Sequence, residues 1–408
     1  MALLGRIESD GRGDKTLRKL GSGTIPGDPC AKYRFFLQHL RLIIYVGFCL
    51  ALATASYLRP LPTFDRYLYA GAVASFRYSD PLTIHRTARA EFDAQPSPFR
   101  FESVAAEPYF ADVYANPNHF AQQLGLFRVK LGYVAAGYLL WCTGLHILVG
   151  LRLISACCIF VVGLTVLAWT HDAVLSALLL LTPPVLSMGR MVTADPLSTT
   201  MVFLALFAVA RGRDCLSASL LVASILVRSD NLVLAVILLA WMAWRRRIRF
   251  SHAALFEILV VAVAVLVNRI SGVYGWRVIM QHGFVKPLID PIGHPVLITF
   301  AGYLHALAEL RAIPYTFMTI WVLVAVAIWK RLPSGSVFRD LLSLAGLYIV
   351  VRLAMFPNFD DRFFLWTYLL AAIALIQSDQ VPASDVTEDA ALPGFAGDCR
   401  RTYSKRFR

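Results

Sequence analysis

Eleven separate apolar runs constrain this chain more than any other feature. They lie at residues 36–58, 131–149, 151–169, 173–188, 196–210, 215–227, 231–244, 253–268, 313–329, 340–356 and 363–377. A helix that crosses a bilayer upright needs about 20 largely apolar residues. The runs approach that length, and the shorter ones reach it with polar flanks where a protein-enclosed cavity tolerates them. Hydrophobic residues make up 58% of the chain and charged residues 16%, against about 45–50% and about 25% in soluble domains. An ordinary soluble enzyme, a disordered chain and a disulfide scaffold are excluded. The expected fold class is all-α: a polytopic membrane bundle of about ten transmembrane helices with extracytoplasmic interfacial helices.

The formal net charge is +13. In a membrane protein such an excess reports topology, because cytoplasmic loops are enriched in Lys and Arg; no nucleic-acid partner is expected. The basic clusters are the N-terminal arm with Lys15, Arg18, Lys19, Lys32, Arg34 and Arg41, then residues 211–213, residues 245–249, and residues 330–331 with Arg339. With the N-terminus inside and all eleven runs crossing, the clusters at 211–213 and 245–249 would fall outside. If 131–149 does not cross, every cluster is cytoplasmic. That run contains Gly132, Gly137 and Gly144 and follows Arg128 and Lys130. It reads as a helix along the outer leaflet, with a true span as the alternative. The expected organisation is a disordered cytoplasmic tail at 1–35, a transmembrane domain at 36–377 whose loop 59–150 is extracytoplasmic, and a second disordered tail at 378–408. The first tail lacks the apolar stretch of a signal peptide. The expected location is a bacterial inner (plasma) membrane, multi-pass.

The charge that anchoring does not explain gathers on the outer face. Asp65 follows the first run in Pro62-Thr63-Phe64-Asp65-Arg66-Tyr67. It either caps an interfacial helix over residues 66–76 or stands over the mouth of the bundle beside Tyr67. Asp195, followed by Pro196, either caps the next helix or faces the same cavity. Arg228-Ser229-Asp230-Asn231 interrupts two apolar runs, where charge is costly unless solvated or paired; it is either part of a functional site or a local ion pair with a helix cap. Arg190, Lys286 and Arg362 are further outward cations. The seven cysteines form no CxxC pair, and His85, His119, His282, His294 and His305 form no HxH or HExxH spacing. No dedicated metal motif is readable, so the cofactor is unknown, a divalent metal being the open option.

The order of these features resembles the GT-C glycosyltransferases, in particular the lipid A aminoarabinose transferase and protein O-mannosyltransferase group. Val192-Thr193-Ala194-Asp195-Pro196-Leu197 looks like that group's acid–proline–leucine turn. Ile225-Leu226-Val227-Arg228-Ser229-Asp230-Asn231-Leu232 resembles its basic turn two helices later, and Asp360-Asp361-Arg362-Phe363-Phe364 the Arg-aromatic start of a late helix. Leu151-Arg152-Leu153-Ile154-Ser155 resembles the opening of the second helix. The resemblance covers residues 36–377 in layout; it departs at Arg66, where a second acid is absent, and at Ser229, where proline or glycine is common.

The resemblance implies an enzyme that transfers a sugar from a polyprenyl-phosphate-linked donor to a glycolipid, polysaccharide or protein acceptor outside the membrane. Asp65 would be the base and Asp195 its helper, with Arg228, Arg362 and Lys286 clamping phosphate and Arg190 and Tyr67 lining the substrate. The alternatives are a transporter or flippase of lipid-linked sugars, and a polysaccharide polymerase or ligase of similar topology. A transporter predicts related halves, which the sequence lacks; a polymerase or ligase predicts a key loop late in the chain, where 269–312 is the candidate.

Overall fold

The computed structural model describes residues 29–94, 107–272, 274–285, 287–292, 299–309, 317–356 and 360–378. The expected tails at 1–35 and 378–408 fall largely outside these residues. The first helix, however, already begins at Pro29 and the last one includes Ser378.

Every regular element among the described residues is helical. In chain order the helices are α1 (Pro29–Leu58), α2 (Asp65–Ala74), α3 (Pro81–Asp93), α4 (Pro108–Ala115), α5 (Pro117–Arg128), α6 (Leu131–Cys142), α7 (Ile147–Thr170), α8 (Ala173–Leu180) and α9 (Pro183–Arg190). They continue with α10 (Asp195–Ala210), α11 (Asp214–Val227), α12 (Asn231–Trp244), α13 (Phe250–Ser271), α14 (Gly275–Met280), α15 (Phe300–Glu309), α16 (Phe317–Arg331), α17 (Val337–Met355) and α18 (Leu365–Ser378). A π-helical turn, Gln281–Val285, follows α14, and a 3-10 turn, Asp361–Phe363, precedes α18.

Local sequence explains the boundaries. Proline occupies the first turn of α3, α4, α5, α9 and α10, where its missing N–H costs nothing. Side chains of Asp80, Asn116 and Asp172 accept hydrogen bonds from the first free N–H groups of α3, α5 and α8. Pro183 and Pro184 divide one apolar run into α8 and α9, bent by 67°. Gly144, at φ 92°, turns the chain between α6 and α7, a backbone region that disfavours other residues.

Among the described residues, three helices are long and apolar enough to cross a membrane: His39–Leu58 within α1, then α7 and α13, with the bent α8–α9 pair as a fourth. The ten crossings expected from the apolar runs are thus not all carried by helices of spanning length. Helices α10, α11, α12 and α18 have 14 to 16 residues, about 21–24 Å at 1.5 Å per residue, against a hydrocarbon core of about 30 Å. Helix α6, with 12 residues, is shorter still. The segmentation also moves a boundary: the helix expected from 151 begins at Ile147.

The chain divides into two units, Met1–Ile44 and Tyr45–Arg408. The described part of the first is helical throughout and exposes Leu40, Leu42, Ile43 and Ile44. The second holds two hydrophobic cores. One is built from the apolar helices, with Phe203, Leu206, Leu238, Leu239 and Leu369 among its buried residues. The other is built by the loop helices around Tyr67, Val73, Phe120, Leu124 and Leu148. Helix α2 sits inside this second core. From Arg66 to Ala74 every residue is buried, so α2 is a central strut of the loop module rather than a helix lying at an interface. Gly71 permits this. A Cβ there would stand 2.3 Å from the Phe120 ring, so only glycine lets α5 approach so closely.

Candidate functional site

Four chain segments deliver charge to one region. Helix α2 presents Asp65 in its first turn, α10 presents Asp195, the α11–α12 turn supplies Arg228 and Asp230, and the C-terminal part of α17 with the segment before α18 supplies Arg352, Asp360 and Arg362. Neither Asp65 nor Asp195 caps its helix: Phe64 and Ala194 hold the cap positions, and neither helix has a side-chain cap bond. The capping alternative therefore fails for both. Each acid instead occupies the first helical turn, where the helix dipole favours negative charge.

Asp65 accepts a hydrogen bond from Arg362 Nη1 at 3.2 Å. The pair is only partly covered, with side chains 34% and 28% exposed, and Arg362 also faces Asp360 at 2.8 Å. Asp195 is 4% exposed; it accepts from Thr193 Oγ1 at 2.7 Å and is held by Arg228. Arg228 grips Asp230 with two bonds of 2.9 Å, and Arg352 reaches the same carboxylate at 3.4 Å. The Phe363 ring ties the network together. The guanidinium carbons of Arg352, Arg228 and Arg362 stand 4.3, 4.5 and 4.9 Å from its centroid, distances at which cations are attracted to an aromatic face.

Neutral contacts hold the scaffold of this network. Asn231 donates to Ser198 Oγ at 2.9 Å and to the Ser224 carbonyl at 3.1 Å, fixing the α11–α12 turn against α10. The Ala194 N–H donates to Tyr69 Oη at 3.4 Å, linking the Asp65 helix to the start of α10. Asp195, Arg228, Asp230, Tyr348, Arg362 and Phe363 line one cleft of about 10 Å³, room for about one water molecule. In this conformation ion pairs fill the cleft.

Charge and burial compete at each group. Burial pushes the Asp230 carboxyl up, but the Arg228 and Arg352 guanidiniums outweigh it and hold it well below the usual carboxylate range. Burial opposes charge on Arg362 too, and Asp65 and Asp360 reverse that, raising its affinity for the proton. Lys130, between α5 and α6, goes the other way. Burial and then the Arg228 charge bring its amine down to about 8, with Asp65 opposing. Its Nζ donates to the Leu126 carbonyl at 2.6 Å and lies 4.8 Å from the Phe127 ring centre. Burial and the Lys130 charge likewise bring His282 down to about 4, so its ring is neutral.

Of the residues singled out in the sequence, Asp65, Asp195, Arg228 and Arg362 meet at this network. Arg190 does not: its Nε donates to the Arg59 carbonyl at 2.7 Å, tying the end of α9 to the chain after α1. Tyr67, expected beside a substrate, is fully buried among Phe64, Phe92, Tyr114 and Phe120. An aromatic two residues after Asp65 points into the core of the loop module, not towards the cleft. Lys286 lies outside the described residues. Sequence reasoning missed Arg352, Phe363 and Lys130 as members of the region. A lone arginine late in the run 340–356 was the available signal, since charge within an apolar helix demands a partner. No group of three His, Cys, Asp or Glu suited to a metal ion occurs among the described residues.

A second cavity, about 320 Å³ and apolar, lies between α16, α17 and α18. Trp321, Trp329, Ile349 and Tyr368 are part of its lining. Tyr368 also donates to Asp361 Oδ1 at 2.5 Å, so this cavity adjoins the turn that carries Arg362. No protein-family model, no curated protein and no solved structure matches this chain.

Proposed function

We propose that this chain is a membrane glycosyltransferase of GT-C-like, ten-span architecture. It moves a sugar from a polyprenyl-phosphate-linked donor to a glycan, lipid or protein acceptor on the extracytoplasmic face of a bacterial inner membrane. The observation that carries the reading is the partly exposed Asp65–Arg362 pair, set beside the more deeply buried Arg228–Asp230 pair.

The chemistry follows from competition for Arg362. A donor phosphate that enters the cleft attracts the guanidinium more strongly than one carboxylate does, through bidentate contacts. Arg362 then turns to the phosphate and leaves the Asp65 carboxylate free to take the acceptor's hydroxyl proton. The leaving group departs as an already ionised phosphate, so no general acid is required. A positioned carboxylate base contributes roughly 10²–10⁴-fold. Asp195, locked to Arg228, acts as a fixed counter-charge that orients that guanidinium rather than as a second base. The apolar cavity between α16, α17 and α18 is large enough for part of an isoprenoid chain and adjoins the Arg362 turn.

A transporter or flippase of lipid-linked sugars is the second reading. The 67° break between α8 and α9 favours it, since broken helices recur at transport sites. Transfer of radiolabelled sugar from a polyprenyl-phosphate donor by the purified protein separates the two. Turnover that is lost in Asp65→Asn supports the transferase; donor translocation in vesicles without any transfer product refutes it.

A further inference from the structure

Helices α10 and α12 end on the same backbone cap. At the end of α10 the Gly212 N–H donates to the Val209 carbonyl at 3.0 Å and the Arg213 N–H to the Ala208 carbonyl at 2.8 Å. At the end of α12 the Arg246 N–H donates to the Ala243 carbonyl at 3.0 Å and the Arg247 N–H to the Met242 carbonyl at 2.9 Å. The residue that turns each cap is left-handed, Gly212 at φ 72° and Arg246 at φ 55°. Glycine adopts that conformation without strain; α12 keeps an arginine there.

The charge of this turn is not balanced. Two carboxylates from neighbouring turns face it, and each is taken: Asp214 accepts from Arg247 Nε at 2.9 Å and Asp340 from Arg245 Nη2 at 2.5 Å. Arg246 and Arg249 are exposed and form no ion pair among the described residues. Two aromatic rings bracket these arginines in the chain. Trp244 is 80% exposed and Phe250 is 82% exposed. Phe250 opens α13, which is long and apolar enough to cross a membrane, and Leu255, Ile258 and Val261 on that helix are exposed as well. Exposed apolar side chains on a spanning helix face acyl chains, and tryptophan at its end sits at the head-group level. The arginines between the two rings then stand at the depth of the lipid phosphates.

We infer that the α12–α13 turn is a binding surface for an anionic phospholipid. Arg246 and Arg249 hold its phosphodiester, which guanidinium forks match with paired N–H donors, and Trp244 and Phe250 pack against the upper part of its acyl chains. The inference is independent of the transferase reading. It needs α13 to cross a bilayer, and a chain without any transfer activity would still bind the lipid.

Thermal unfolding of the full chain in alkyl maltoside micelles tests it, with three additions: phosphatidylglycerol, phosphatidylcholine and glycerol 3-phosphate. Phosphatidylglycerol should raise Tm in a concentration-dependent way, as a ligand of the folded state does. Phosphatidylcholine carries the same phosphate with its charge cancelled by choline, and glycerol 3-phosphate lacks the chains; neither should match the rise. Arg246→Gly copies the cap that Gly212 already forms, so the variant should keep the parent's Tm without lipid. Arg246→Gly together with Arg249→Gln should weaken the apparent affinity by about thirtyfold, about fivefold for each cation. The inference is overturned if phosphatidylglycerol does not raise Tm or if phosphatidylcholine matches it. It is also overturned if glycerol 3-phosphate alone gives the full rise, which would make the turn a site for soluble anions, or if the double variant responds like the parent. Should the double variant not fold, Arg246→Gly alone decides, with a fivefold loss expected and no loss overturning the inference.

Discussion

Asp65 and Arg362 stand 297 positions apart in the chain and meet at 3.2 Å. One opens the helix buried in the loop module, and the other precedes the last apolar helix. Their pairing closes the sequence-distant ends of the fold over the Arg228 network. It is more accessible than the Arg228–Asp230 and Arg352–Asp230 pairs of that network, which makes it a contact that an incoming anion can displace.

Asp65→Asn is expected to reduce sugar transfer by 10²-fold or more, since the amide keeps the shape but takes no proton. Expression and thermal stability should change little, because a partly exposed pair contributes about 0–1 kcal/mol. A transfer assay beside a melting curve checks both halves. Near-normal turnover would reduce Asp65 to a structural partner of Arg362.

Arg228 should behave in the opposite way. Its loss leaves the buried Asp195 without its guanidinium partner and Asp230 with Arg352 alone. Arg228→Leu is expected to cost about 3–5 kcal/mol, the penalty of stranding a buried charge. Arg228→Lys keeps the charge and loses the paired geometry, so it should fold and show weaker donor binding. Denaturant or thermal unfolding in micelles separates the two variants, and equal stability would mean the network does not hold the α11–α12 turn.

Lys130 gives the pH prediction. Its amine is held at about 8 in the fold, below its free value of 10.5. Between these values the unfolded chain binds the proton more tightly than the folded one. Stability contributed by this residue therefore rises with pH across that window. Melting temperatures measured from neutral pH to pH about 10 should show this rise, and Lys130→Met should flatten it. An unchanged profile in the variant would place the titrating group elsewhere.

Topology is tested from the surface. Arg246 and Arg86 are both exposed; the proposed orientation puts the first inside and the second outside. In a background without the native cysteines, Arg86→Cys should react with an impermeant maleimide in intact cells. Arg246→Cys should react only after permeabilisation. The reverse pattern would invert the orientation and move the Asp65 network to the cytoplasm.

Helical class, apolar character and helix breaks were legible in the sequence because they depend on neighbours in the chain. Pro183-Pro184 broke its run as their chemistry requires, and α2 begins within one residue of the expected start. Hydropathy over a window is a local sum, however, and it overstated how many runs become helices of spanning length. What the charged groups do depends on which of them meet, and that is settled by packing between distant segments. Asp65 and Asp195 looked alike in the sequence, each at a helix start. Packing leaves one in a partly open pair and locks the other under Arg228. Tyr67 and Arg66 adjoin Asp65 yet are turned into the loop core, because successive residues of a helix point about 100° apart. The sequence by itself determined an all-helical chain with apolar, membrane-length segments. Only the tertiary structure decided which carboxylate remains accessible, because the energy of a charge is set by its partners and its burial rather than by its neighbours in the chain.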